Sequence, residues 1–254
     1  MKEYNLIQLD NGIRILLHYQ DSSITHTCMI VNAGARDERE GKFGVAHFIE
    51  HLLFKRTERR STNQILNRLE QVGGDLNAYT TKEYTCLHAS FLNPHLERAL
   101  DLFEDVLFHS TFPANEIEKE KGVILDEMAS YLDSPEESIM DDFEDLLFKG
   151  TGLGHNILGL EEDLKALQKD DVLDFMKSNY DTNEIVIAIG GNYSLAQVER
   201  LSNKIFGKIK SNVRARKEVK TFENIGQQII VQKPINQAHY MLGVQTFGIF
   251  DDRK

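Results

Sequence analysis

Two histidines and a glutamate fall in one short apolar segment, where residues 47–51 read His-Phe-Ile-Glu-His. Histidines four residues apart lie one above the other on a helix face, so His47 and His51 can point at one metal ion. Glu50 comes three residues after His47, projects from the same side and can reach a water at that metal. Two ligands and a base at this spacing predict metal-dependent hydrolysis, with zinc as the metal.

The residues around this motif predict a helix that is buried on most sides. The apolar positions are Val45, Ala46, Phe48, Ile49, Leu52, Leu53 and Phe54. Two histidines and a glutamate in such a helix must find partners, because unpaired polar groups are costly to bury. A metal ion would provide that partner, and we favour it on the spacing. The alternative is a structural zinc site or a metal-free cluster of polar side chains in the core.

Composition narrows the class of protein. The chain has 254 residues, of which 41% are hydrophobic and 27% charged, as is typical of one large or two small globular domains. A net charge of −11 argues against a nucleic-acid partner. No apolar run approaches the roughly 18 residues of a membrane span. Polar residues between Asn5 and Asn11 interrupt any signal-peptide core, so we expect a cytoplasmic protein without a membrane partner.

The order of predicted elements indicates an α+β fold. Asn11-Gly12 supplies the tight turn of a hairpin between the first two strands. Alternating apolar residues predict strands at 4–9, 13–19, 25–33, 75–81, 84–91 and 184–189. Helical periodicity predicts helices around the motif and at 62–72, 94–110, 116–132, 134–149, 160–167, 170–180 and 195–206. Because the early strands are joined by hairpins, we expect a largely antiparallel β-sheet covered by helices rather than a doubly wound parallel sheet.

Two other features of the sequence do not predict a ligand. The glycine-rich run at residues 150–154 follows a helix and lacks the Gly-Lys-Ser/Thr ending of a phosphate loop, so it does not predict a nucleotide site. The short basic cluster Arg214, Arg216, Lys217 and Lys220 is typical of a solvated connector. This cluster marks residues 211–224 as a linker.

A zinc hydrolase usually has a third protein ligand, which the motif helix does not supply. The histidines at positions 88, 95, 109, 155 and 239 lack paired spacing, and we interpret them as surface or capping residues. Among the acidic residues of 116–127, Glu120 and Glu127 fall on the apolar stripe of their helix, seven residues apart. One could bind the metal while the other accepts a hydrogen bond from a ligating histidine. Spacing alone leaves open which glutamate does which.

Three segments together resemble one family of metallopeptidases. They read GVAHFIEHLLFK at 44–55, GGDLNAYT at 73–80 and EKGVILDE at 120–127. These are similar to the motifs of the insulinase/pitrilysin family, which includes the mitochondrial processing peptidase, and the likeness runs along nearly the whole chain. The resemblance implies that Glu127 is the third ligand and that Glu120 supports a ligand from behind.

The activity that this resemblance implies is zinc-dependent hydrolysis of peptide bonds. One Zn²⁺ ion would be held by His47, His51 and Glu127, and Glu50 would be the general base for the water at zinc. The substrate class would be extended peptides. The alternative is a zinc-binding half-module that binds a peptide or a partner chain but does not cleave alone.

The family fold implies a clamshell of two similar αβ halves, of which this chain would be the first. On this basis residues 1–210 form the N-terminal catalytic αβ domain, 211–224 the linker and 225–254 the truncated start of a second αβ domain. The opening strands of that second domain are expected at 228–232 and 238–244. A second chain or a homodimer could then supply the missing half.

The resemblance also implies a substrate-binding edge. Residues Asn77, Ala78 and Tyr79 would lie on an edge strand that pairs with the backbone of the substrate. An exposed edge can bind an extended peptide by strand addition, which suits this assignment. The alternative is an ordinary hairpin strand.

Overall fold

A computed structural model of the chain describes residues 4–213, 226, 228–232, 236–248 and 251–252. Its strands are β1 Asn5–Gln8, β2 Arg14–Tyr19, β3 Ile24–Val31, β4 Asp75–Thr80, β5 Thr85–Leu92 and β6 Ile185–Gly191. Its α-helices are α1 Val45–Leu53, α2 Thr62–Glu70, α3 Leu96–Phe108, α4 Ala114–Leu132, α5 Pro135–Leu147, α6 Glu161–Ala166, α7 Lys169–Asn179 and α8 Leu195–Phe206. The motif helix is therefore α1.

The strands form one mixed sheet in the order β1-β2-β6-β3-β5-β4. The pair β2–β6 is parallel and the other neighbouring pairs are antiparallel. Strand β6 lies between β2 and β3 although it follows them by more than 150 residues. The expected α+β class with a largely antiparallel sheet is confirmed.

One face of the sheet packs against the helices and forms the core. Along β3 the side chains of Thr25, Thr27, Met29 and Val31 are buried, whereas the intervening side chains are more exposed. Helix α1 is almost entirely inside, with contacts to α4, α7 and β4. Among the helices of the described residues, none is both long enough and apolar enough to cross a membrane.

The structure corrects two local predictions. Helix α4 begins at Ala114, two residues before the predicted start at residue 116, and follows Pro113, whose fixed φ suits a helix start. Residues 228–232 and 238–244 contain no strand, because a strand forms by pairing and none of the six strands pairs with them. Residues 214–224 of the predicted linker lie outside the described residues. The proposed domain division stays a prediction.

The glycine-rich run at 150–154 has a packing role. A Cβ atom added at Gly152 would collide with the backbone carbonyl oxygen of Arg36. Nearby, a Cβ at Gly159 would collide with the carbonyl oxygen of Phe43. These glycines therefore let residues 150–159 press their backbone against the loop that leads into α1.

We expect Gly152→Ala to lower the free energy of unfolding by about 1–3 kcal/mol, because the added methyl group overpacks a backbone contact. Each kcal/mol corresponds to roughly 2–4 °C in Tm for a domain of this size. The control is Gly122→Ala in α4, where an added Cβ meets nothing within 4 Å. That change should raise Tm, since alanine is favoured over glycine in a helix. Thermal melting followed by circular dichroism checks both, and a Gly152→Ala protein that melts at or above wild type would contradict the packing role.

Candidate metal centre

Helix α1 presents both motif histidines to the same region. His47 is the third residue of the helix and is 8% exposed, and His51 follows one turn later. Their rings meet edge to face, with 4.7 Å between centroids. Burial, and secondly the proximity of His51, lowers the pKa of His47 to about 4. The imidazole of His47 is therefore neutral at pH 7 and keeps a lone pair that can bind a metal.

Helix α4 brings Glu127 to these two rings. One carboxylate oxygen lies 3.8 Å from Nε2 of His47, and the other lies 3.5 Å from Nε2 of His51. One ligand atom from each residue lies within 4.8 Å of the other two. Ligands about 2.0–2.2 Å from a tetrahedral zinc stand roughly 3.3–3.6 Å apart, so a zinc ion fits this arrangement.

Glu120 lies behind His51, on the side away from Glu127. Its Oε2 is 3.3 Å from Nδ1 of His51, and its Oε1 is 2.8 Å from Nζ of Lys55. The carboxylate is nearly inaccessible, with 3% of the side chain exposed. A bond from Nδ1–H to this carboxylate fixes the histidine tautomer that leaves Nε2 free for a metal. The two glutamates, whose roles spacing alone left open, therefore occupy different positions: Glu127 faces Nε2 of both histidines, and Glu120 faces Nδ1 of His51.

Lys55 is a residue to which sequence reasoning gave no role. It stands just past the end of α1, four residues after His51, and its ammonium compensates the charge of the buried Glu120. The signal that could have pointed to Lys55 was the place of Glu120 on the apolar stripe of its helix, because a buried carboxylate requires a cationic or hydrogen-bonding partner. Lys55 and the ring of His51 together provide that partner.

Glu50 points toward the edge of the sheet at Thr80 of β4. Burial raises the pKa of Glu50 above its usual range, while Thr80 and His51 oppose the rise and Glu127 adds to it. The Thr80 hydroxyl is buried and has no partner that meets hydrogen-bond geometry, so it is a neighbour of this carboxylate rather than a bonded donor. A carboxylate with a raised pKa is a stronger base and is suited to take a proton.

The segment predicted to bind substrate lies at the sheet edge beside α1. Asn77, Ala78 and Tyr79 belong to β4, the last strand in the sheet, and β4 contacts α1. Within the described residues β4 pairs with β5 and carries no strand on its other side. Tyr79 is 42% exposed and its ring contacts those of Tyr84 and His88. An edge is therefore available, and substrate binding there stays a prediction.

The remaining histidines do not form a second centre. Among the residues that the structure describes, His47, His51 and Glu127 are the one group of three or more side chains that could hold a metal ion. His109 is bonded to Glu104, and His155 is bonded to Glu38 at the start of α1. Sequence reasoning gave Glu38 no role. An acidic residue shortly before a helix whose N-cap is glycine could have indicated an acceptor for the first N–H groups of that helix.

Comparison with family models gives two matches that together cover most of the chain. Residues 14–161 match the model described as "Insulinase (Peptidase family M16)", and residues 166–254 match the model described as "Peptidase M16 inactive domain". The boundary between the models does not coincide with a boundary in the fold. Strand β6 lies beyond it, yet forms the middle of the sheet with β2 and β3.

Curated relatives carry names from the same family. An uncharacterized zinc protease of Bacillus subtilis is 32% identical over 247 residues, covering 96% of this chain and 59% of the relative. The beta subunit of the mitochondrial-processing peptidase of Bos taurus is 35% identical over 202 residues, covering 78% of this chain and 41% of the relative. The chain thus spans about half the length of these relatives.

Solved structures share the fold. The periplasmic protease PqqL from Escherichia coli superposes with a TM-score of 0.81 at 21% identity, over 88% of this chain and 26% of that one. A protease from Helicobacter pylori superposes with a TM-score of 0.77 at 22% identity, over 87% of this chain and 53% of that one. At these identities the likeness shows the fold alone.

Proposed function

We propose, from the premise that the chain belongs to the insulinase family (peptidase family M16), that it carries the catalytic centre of a zinc metalloendopeptidase. The observation that carries this proposal is the convergence of the His47, His51 and Glu127 ligand atoms, with Glu50 beside them on α1. The chain spans 59% of the Bacillus subtilis relative, so peptidase activity is proposed for it rather than transferred from that longer protein.

Zinc is the cofactor in this proposal, held by His47, His51 and Glu127. When bound there it would polarise a peptide carbonyl and bring the pKa of a coordinated water toward about 7. His47 is ready for this role because it is neutral at pH 7. Glu120 orients the His51 ring through Nδ1, which leaves Nε2 for the metal.

Glu50 supplies the acid–base chemistry. Its carboxylate takes a proton from the attacking water and returns it to the leaving amine of the cleaved peptide. Its raised pKa, caused mainly by burial, favours the first transfer, because a carboxylate that holds a proton more strongly is the stronger base. The free edge of β4 lies beside this residue and would hold an extended peptide through backbone hydrogen bonds. Asn77, Ala78 and Tyr79 are the residues proposed for that contact.

A second function is favoured by the partial length match. The chain spans 41% of the Bos taurus subunit, and its later residues match a model named for an inactive domain. A half-module of this kind would bind zinc and peptide, and a second chain or a second copy would complete the catalytic chamber. The presence of Glu50 favours the enzyme over this alternative. A cytoplasmic location stays a prediction, and the solved relative PqqL is described as periplasmic.

Cleavage of internally quenched peptides tests the proposal. We expect the zinc-loaded protein to cleave, a chelator to stop cleavage, and added zinc to restore it. Binding of a labelled peptide, measured by fluorescence anisotropy, separates the two functions: binding without cleavage supports the half-module. A protein that neither cleaves nor binds peptides would contradict both.

Glu120→Gln should weaken zinc binding by about 10–100-fold. The neutral amide would hold the imidazole of His51 and the ammonium of Lys55 less strongly than the wild-type carboxylate does. Competition with a chelator of known zinc affinity measures the change. The control is Glu118→Gln on the same helix, where an exposed carboxylate pairs with Lys121. Equal zinc affinities for the two variants would remove Glu120 from the metal centre.

A further inference from the structure

Helix α1 begins without a side-chain cap of its own. Its N-cap residue is Gly44, with φ of 90°, and the first turn contains no acidic residue. The first N–H groups of a helix have no acceptor within that helix. Val45 and Ala46 are buried, so water does not readily replace the missing acceptor.

Glu38 supplies the acceptors from the preceding loop. Its Oε2 accepts a hydrogen bond from the backbone N–H of Gly44 at 2.8 Å, and its Oε1 accepts one from Ala46 at 2.8 Å. The Glu38 side chain is completely inaccessible to solvent. A carboxylate at this end also interacts favourably with the helix dipole. One side chain thus accepts hydrogen bonds from two backbone N–H groups at the start of α1.

His155 holds Glu38 from the other side. Its Nε2 lies 2.9 Å from Oε2 of Glu38, and its ring stacks on Phe43 with 4.2 Å between centroids. Burial raises the pKa of Glu38, and the bonds from His155, Ala46 and Gly44 oppose that rise. The segment that carries His155 is the one whose glycines press against the loop before α1. The carboxylate is therefore fixed between two parts of the chain that are 117 residues apart.

We propose that Glu38 is a positioning residue of the metal centre, which it serves by anchoring the first turn of α1, and that His155 keeps its carboxylate in place. This inference rests on the proposed zinc site. Ala46 is followed directly by His47, so the anchored turn is the one that carries a ligand. Helix α1 has only 9 residues and little intrinsic stability, since isolated helices of this length are marginal in water. Without the anchor, His47 loses its fixed position relative to Glu127 on α4.

The test compares Glu38→Gln with Glu40→Gln, which removes an exposed carboxylate from the same loop. A glutamine at position 38 offers one acceptor oxygen, and its NH₂ group faces a backbone N–H, so one end of the anchor is lost. We expect zinc binding to weaken by about 10–100-fold in Glu38→Gln, as for other residues that orient ligands. Glu40→Gln should bind zinc as wild type does. Chelator competition gives the affinities.

Two further readouts separate positioning from general loss of stability. Far-ultraviolet circular dichroism should show a folded Glu38→Gln protein. The visible absorption of Co²⁺ in place of zinc should change in band position or intensity, because it reports the ligand geometry. A purely structural role would lower Tm and leave both the zinc affinity and the Co²⁺ spectrum of the folded protein unchanged.

Variants of His155 provide an independent arm. His155→Gln keeps a side-chain N–H that can donate to Glu38, whereas His155→Leu removes the donor. We expect His155→Leu to weaken zinc binding and His155→Gln to retain more of the wild-type affinity. If Glu38→Gln does not fold, the comparison of His155→Gln with His155→Leu tests the inference in its place. Equal zinc affinities for these two variants would overturn it.

The outcomes distinguish this inference from the function on which it rests. A wild-type protein that takes up no zinc refutes the proposed site and the inference together. The inference alone is refuted by a different result: wild type and Glu40→Gln bind zinc, and a folded Glu38→Gln variant binds it with equal affinity and an unchanged Co²⁺ spectrum.

Discussion

Glu50→Gln is expected to lower kcat for peptide cleavage by about 10²–10⁴-fold while the bound zinc remains at the wild-type level. The amide has nearly the shape of the carboxylate but cannot accept the proton of the attacking water. Because Glu50 is not among the proposed metal ligands, its loss leaves the zinc site intact. KM should change little, since the proposed peptide contacts are made by β4.

Steady-state kinetics on an internally quenched peptide and zinc analysis by mass spectrometry check this result on the same samples. The control is Glu70→Gln, at the exposed end of α2, which should cleave as wild type does. Cleavage by the Glu50 variant near the wild-type rate would remove this residue as the general base. Loss of zinc from the variant would instead assign it a role in binding the metal.

Glu127→Gln is expected to weaken zinc binding by more than about 100-fold, beyond the effect of changing a residue that only orients a ligand. The substitution removes the single negative charge among the three proposed ligands and replaces a carboxylate oxygen by a weaker neutral donor. Both histidine contacts of Glu127, at 3.8 and 3.5 Å, depend on that carboxylate. Zinc affinity should therefore fall in the order wild type, Glu120→Gln, Glu127→Gln.

Asp126→Asn is the matched control for Glu127, because it removes an exposed charge from the adjacent position of α4. It should bind zinc within a few-fold of wild type, as roughly expected for a screened surface charge. Unchanged zinc stoichiometry and affinity in Glu127→Gln would reject Glu127 as a ligand. A large effect in Asp126→Asn would show that charge near the site, rather than ligation, governs affinity.

Local sequence patterns predicted most of the secondary structure because the elements have clear periodicity and boundaries. The hairpin of β1 and β2 was predicted from Asn11-Gly12, but only Gly12 of this pair adopts a positive φ, and the turn closes with a hydrogen bond from the Gly12 N–H to the Leu9 carbonyl oxygen. The spacing of His47, Glu50 and His51 placed all three on one helix, since that spacing depends only on helix geometry. These predictions required no knowledge of contacts between distant parts of the chain.

Contacts between distant segments were not predictable in the same way. The insertion of β6 between β2 and β3 depends on pairing between distant strands, and the apolar sequence of β6 does not specify which strands it pairs with. Spacing also left Glu120 and Glu127 equivalent, because both lie on one stripe of α4 and only packing against α1 separates their roles. The pairing of Glu38 with His155 joins two loops, and loops carry no periodic signal from which a contact could be inferred.

Anomalous X-ray diffraction at the zinc absorption edge, from crystals of the zinc-loaded protein, would show whether His47, His51 and Glu127 hold the metal. We expect one strong peak bonded to Nε2 of His47, Nε2 of His51 and the carboxylate of Glu127, with Glu50 beside it and unbonded. No peak at these three residues in a zinc-loaded crystal, or a peak held by a different set of side chains, would contradict it.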